Sequence, residues 1–91
     1  MATINDKVKL ALRISHNLLD DEIKDVVESA RQEMKRSGVQ GAVASSTLEI
    51  VETAIKTYAL AYYAPTPDIG EKYMESFRYQ LDCIRKSDLT A

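Results

Sequence analysis

The chain has 91 residues, of which 45% are hydrophobic and 29% charged, and its net charge is −2. That is the length of one small domain, 1–91, with a mixed composition that argues against a polycation for phosphate backbones. One cysteine (Cys83) and one histidine (His16) supply neither an internal disulfide nor four zinc ligands, so association with other copies is the remaining way to support a small core.

Apolar spacing predicts an all-α chain, a small bundle of about four helices over 5–14, 21–37, 47–63 and 69–86. In the first, Val8, Ala11 and Leu12 share a face, with Leu10 and Ile14 beside it and Asn5 as N-cap. Ser15 to Leu19 breaks the pattern.

The second helix is expected to start behind Asp20 as its cap. Ile23, Val26, Val27, Ala30 and Met34 follow the helical period. Its acids (Asp20, Asp21, Glu22) lie at the start and its bases (Lys35, Arg36) at the end, the order the helix dipole favours. Gly38 suits the left-handed closing position, with Val39 as the apolar contact beyond it. Residues 38–46 then read as a mobile loop, either a plain connector or a segment that orders on a partner.

The third helix carries a capping-box pattern at Ser46–Glu49 and an apolar stripe of Leu48, Val51, Ile55, Tyr58 and Tyr62. The stripe places Tyr58 and Tyr62 in the core and leaves Tyr63, about 100° away, toward solvent. Pro65 and Pro67 are expected to end this helix. The fourth opens at Asp68, with Glu71 in capping-box position and an apolar face of Tyr73, Met74, Phe77, Leu81 and Ile84. Glu75 with Arg78, and Asp82 with Arg85 and Lys86, are spaced as ion pairs. The tail from Ser87 is expected to fray.

Little in this pattern points to chemistry. His16 beside Ser15 and Asp20 lacks the geometry of a triad and reads as a polar turn residue. Asp20, Asp21 and Glu22 are consecutive on a helix and point apart, so they read as dipole partners and not as metal ligands. Cys83 reads as a packing residue, and no glycine-rich phosphate loop occurs. The expectation is a non-enzyme with no catalytic residue, no metal and no cofactor. The longest uncharged run, eleven residues from Thr57 to Pro67, is too short for a membrane span, and no signal-peptide pattern opens the chain. A helix-turn-helix is a weak alternative, because three acids would face the DNA bases. It remains within the second reading, a small helical DNA-binding or regulatory protein.

The segments VKLALRIS, DDEI and VVESARQEMKRSGV, then AIKTYALAYY, then Tyr73, Phe77 and Leu81 on the last helix, together resemble the short head–tail connector proteins of tailed bacteriophages. These are also called head-completion or DNA-packaging adaptor proteins. The likeness covers nearly the whole chain through motifs that are mostly apolar patterns. It departs at Ala44–Thr47 and Ala64–Pro67, where related sequences often have an acid-Pro pair and a closing glycine. The resemblance implies a homo-oligomeric ring, commonly of twelve, beneath the portal protein, made in the bacterial cytoplasm and located at the virion head–tail junction. The ring would extend the channel through which DNA passes without sequence-specific binding, and would dock the next head-completion or tail protein. For the subunit interface the candidates are Lys24, Glu28, Arg31 and Lys35 on the second helix against Glu75, Arg78 and Asp82 on the last. For partner contacts they are Leu18, Val39, Val43 and Tyr63.

Overall fold

The computed structural model describes residues 3–14 and 18–86. It is all-α, with helices α1 (Ile4–Ala11), α2 (Asp20–Arg36), α3 (Gly41–Ala44), α4 (Glu49–Tyr62) and α5 (Pro67–Arg85), and no strand among the described residues. His16, Ser15 and the tail from Ser87 lie outside the described residues.

Thr3, not Asn5, caps α1. Its extended backbone lets its hydroxyl accept from Asp6 N at 3.2 Å while the Asp6 carboxylate accepts from Thr3 N at 3.2 Å. Those bonds, the backbone one first, hold the Asp6 carboxyl below its ordinary pKa. The helix stops at Ala11, short of residue 14, because Arg13 turns left-handed (φ 59°). Arg13 N then donates to Leu10 O and Ile14 N to Lys9 O, the Schellman pattern.

Asp20 is the first residue of α2 and not its cap; Leu19 holds the cap position without a side-chain bond. The Asp20 carboxylate instead pairs with Lys9 Nζ at 2.8 Å, joining α2 to α1. The predicted face of α2 is buried at Ile23, Val26, Val27, Ala30 and Met34. Gly38 closes the helix at φ 104°, and Val39, 3% exposed, packs into the core behind it.

The expected mobile loop contains a helical turn. Ala44 N donates to Gln40 O and Ser45 N to Gly41 O, and Val43 and Ala44 are buried. Four residues carry no periodic signal, and a distant side chain secures the turn: Arg31 Nη1 donates to Ala44 O (2.6 Å) and Ser46 O (3.1 Å).

The capping box at Ser46–Glu49 does not form. The Ser46 hydroxyl donates back to Val43 O at 2.6 Å, and α4 begins behind Leu48 with no side-chain cap. Nor does Pro67 serve as a terminator. It is the first residue of α5, where the missing N–H costs nothing, and Thr66 caps the helix by accepting from Ile69 N. Asp68 and Glu71 are thus in the first turns and not at the cap.

α4 is the central element, with α5, α2 and α1 packed around it. Val51, Ala54, Ile55 and Ala59 are buried on it, Phe77, Leu81 and Ile84 on α5, and Val8 on α1. At Gly70 a Cβ would meet Ala61 O and Ala64 Cβ at 3.4 Å each, an ordinary contact of α5 with the end of α4. Tyr58 packs edge-on against Phe77, with ring centroids 5.1 Å apart. The result is a flat body of 39 × 33 × 17 Å.

Candidate functional site

The side chains predicted to make contacts fall into three groups. Lys24, Glu28 and Lys35 are exposed on α2, and Glu75 and Arg78 on α5. Leu18 is also uncovered, at 88% exposure. Glu28 also accepts from Gln32 Nε2 at 3.3 Å within α2.

The second group is engaged within the chain. Arg31 is half-buried because it holds the carbonyls that end α3, so it is a clamp and not an outer-face residue. Asp82 accepts from Arg85 (3.2 Å) and Lys86 (2.8 Å), and the Lys86 contact chiefly lowers its carboxyl pKa. Glu75 and Arg78, predicted as a pair, form no such bridge among the described residues.

The third group is misplaced by the sequence reading. Val39 and Val43 are core residues, 3% and 8% exposed. Their burial completes the packing around α3 and removes them as surface contacts. Tyr62 and Tyr63 are exchanged: Tyr62 is 59% exposed, whereas Tyr63 packs against the core with its hydroxyl covered. That burial first, and the neighbouring Glu22 carboxylate second, push the Tyr63 pKa up to about 12.

Glu28 and Lys35 on α2 line one open groove, of about 930 Å³, whose floor includes Tyr58. It adjoins a smaller cleft of about 250 Å³, where Glu33 and Tyr58 meet Met74, Phe77, Arg78 and Leu81. The fold therefore gathers Glu28, Lys35 and Arg78 around neighbouring hollows, while Lys24 and Glu75 are not among their lining. Glu33, on the shared rim, is paired with Arg36, and that contact raises the Arg36 pKa.

Two interactions had no place in the sequence reading. Glu52 is a buried carboxylate, 7% exposed, held by Lys7 Nζ at 2.7 Å. Its position beside Val51 and one turn before Ile55, on the flank of an apolar face, was the available signal, since a buried charge requires a partner. Arg85 Nη1 donates to Ser37 O at 2.8 Å, fastening the end of α5 to the end of α2.

For chemistry the surface offers little. Among the described residues no three His, Cys, Asp or Glu side chains converge as metal ligands. Cys83 is half-buried, and its thiol raises the pKa of the neighbouring Tyr79 hydroxyl. No helix among the described residues is long and apolar enough to cross a membrane. Comparison of the chain with protein-family models, curated proteins and solved structures returned no match.

Proposed function

We propose that the chain is a structural connector subunit of a tailed-phage head–tail junction. In this reading copies assemble under the portal protein into a ring that continues the DNA channel and receives the next head-completion or tail protein. The sequence likeness motivates it. One structural observation carries it further: large apolar side chains stand uncovered, with Leu18 at 88%, Leu10 at 79% and Tyr79 at 70% exposure. Isolated exposed apolar residues are ordinary, but several on a body this small suit a subunit completed by neighbours.

The test is assembly on purified portal. Mixing chain and portal is expected to add a ring of density at the portal's tail-proximal face in electron micrographs, and an added mass of several subunits in solution. No binding to portal at saturating chain would sink the reading. A mobility-shift series at several salt concentrations addresses DNA binding. No sequence-selective shift is expected, and one that survives moderate salt would favour a DNA-binding protein.

A further inference from the structure

The three long helices have two common ends. Glu22, at the start of α2, acts on the Tyr63 hydroxyl at the end of α4, and α5 begins a few residues later. At the other end Arg85 joins the close of α5 to the close of α2, and Arg31 joins α2 to the segment that leads into α4. α2 and α5 thus run one way and α4 the other.

This arrangement adds the charge order of α2 to that of α5. The first two turns of both helices carry Asp20, Asp21, Glu22, Asp25, Asp68 and Glu71 against Lys24 and Lys72; Lys9 of α1 pairs with Asp20, and the excess there stays negative. Their last two turns, through Lys86, carry Arg31, Lys35, Arg36, Arg85 and Lys86 against Glu33 and Asp82. Glu49 and Glu52, in the first turn of α4, are further acids at the basic end, but Lys7 pairs with Glu52 and the excess there stays positive. Compensation of the helix dipoles accounts for this polarity within one molecule. It does not account for the apolar side chains at both ends. Leu18, Tyr62 and Ile69 are exposed at the acidic end, and Leu48 and Ile50 at the basic end. Apolar side chains beside complementary charge are what protein interfaces bring together.

We propose that the acidic end of one copy docks on the basic end of the next, with Leu18, Tyr62 and Ile69 meeting Leu48 and Ile50 inside rims of opposite charge. The contact is heterologous, because each copy uses two different surfaces. α2 alone is about 25 Å long, so both ends can be occupied at once. The proposal deepens the connector reading, on which it rests, by moving the subunit contact from the helix sides to the helix ends. Arg31 and Asp82 make bonds within the chain and are not side contacts, whereas the ends hold opposite net charge beside exposed apolar side chains.

The experiment uses the isolated chain without portal, so its failure is distinct from a failure of portal binding. Sedimentation over a wide concentration range is expected to show mass growing with concentration in about 20 mM salt and much less in about 500 mM, where the screening length falls from roughly 20 Å to roughly 4 Å. Asp21→Lys with Glu71→Lys reverses one end; Lys35→Glu with Lys86→Glu reverses the other. Each double variant, checked for folding by circular dichroism, is expected to associate about tenfold more weakly alone. An equimolar mixture is expected to recover association, because each variant offers the end that the other can bind. Tyr62→Ser, an exposed substitution without a charge change, is expected to weaken association in both salts. A chain monomeric throughout in low salt, reversals without effect, or a mixture no better than its components would each overturn the proposal.

Discussion

α1 and α2 end in the same hydrogen-bond pattern built on different residues. At the first end Ile14 N reaches Lys9 O at 2.9 Å and Arg13 N reaches Leu10 O at 3.0 Å; at the second Val39 N reaches Met34 O at 3.0 Å and Gly38 N reaches Lys35 O at 3.1 Å. Gly38 takes the left-handed position at φ 104° without a side chain to strain, and Arg13 takes it at φ 59° with one. Their surroundings differ as well. Around Gly38 the chain is fixed by a fully packed valine beyond it and by arginine clamps on carbonyl oxygens before it, at Ser37, and after it, at Ala44. Beyond Arg13 it is fixed by half-buried Ile14 and by the Lys9–Asp20 ion pair. The same backbone device is therefore anchored by burial at one corner and by partial packing with a partly exposed charge pair at the other.

Truncating the apolar anchor just past each closure gives the sharpest test of this contrast. Val39→Ala is expected to cost about 2–3 kcal/mol in urea unfolding, the range for removing buried methyl groups without full relaxation. Ile14→Ala, at a half-buried site, is expected to cost about half as much. Equal losses would show that the two corners are anchored alike.

Arg31→Ala removes the clamp from the second corner only. Two charge-assisted bonds to main-chain oxygens are lost and the oxygens lose their donor, an expected cost of about 2 kcal/mol. Amide exchange at Ala44 and Ser45 should speed up by more than that global loss explains, because those are the amides that close α3. If they kept the protection of α4, the turn would not depend on Arg31.

Exchanging the residues at the closing position should move stability in opposite directions. Gly38→Ala puts a side chain where the backbone disfavours one, at an expected cost of about 1–2 kcal/mol. An added Cβ would meet only Arg85 Cδ, at 3.5 Å, so backbone strain and not crowding sets the loss. Arg13→Gly relieves strain at an exposed residue, and an expected gain of about 0.5–1 kcal/mol remains after the unfolded chain becomes freer. A loss at Arg13→Gly would mean that the arginine side chain itself holds the corner.

How much of this was legible in the sequence follows from the same residues. Gly38 was readable because no other residue adopts its backbone freely, and the face from Ile23 to Met34 because five apolar positions keep the helical period. Arg13 was not readable, since only the inward packing of Leu12 and Ile14 makes a left-handed arginine acceptable. The turn at Gly41–Ala44 escaped because its support comes from Arg31, 13 to 15 residues earlier. Ser46 and Glu49 have capping-box spacing, but a closer acceptor at Val43 captures the serine. At the candidate surfaces, the exposure of Leu18 and of Lys24, Glu28, Lys35, Glu75 and Arg78 was legible from pattern. The exchange of Tyr62 and Tyr63 was not: neighbouring helical residues differ by about 100°, and the stripe drifts by that much at the end of α4.

Tyr63 brings the first corner's reliance on polar groups to its smallest measurable consequence. It stands beside Glu22, one turn or less past the Lys9–Asp20 pair, and its hydroxyl pKa is raised to about 12 by burial and then by that carboxylate. In the unfolded chain a tyrosine loses its proton near pH 10. Between about pH 10 and about 12 the unfolded state is therefore the one that gains by ionising, and folding stability falls as pH rises through that window. Below it both states hold the proton and the group has no pH effect. Tyr63→Phe is expected to flatten this part of the stability curve and to leave its shape near neutral pH unchanged. Paired urea titrations from pH 8 to about 11.5 would measure it, and the same decline in Tyr63→Phe as in the parent would assign the alkaline loss to other groups.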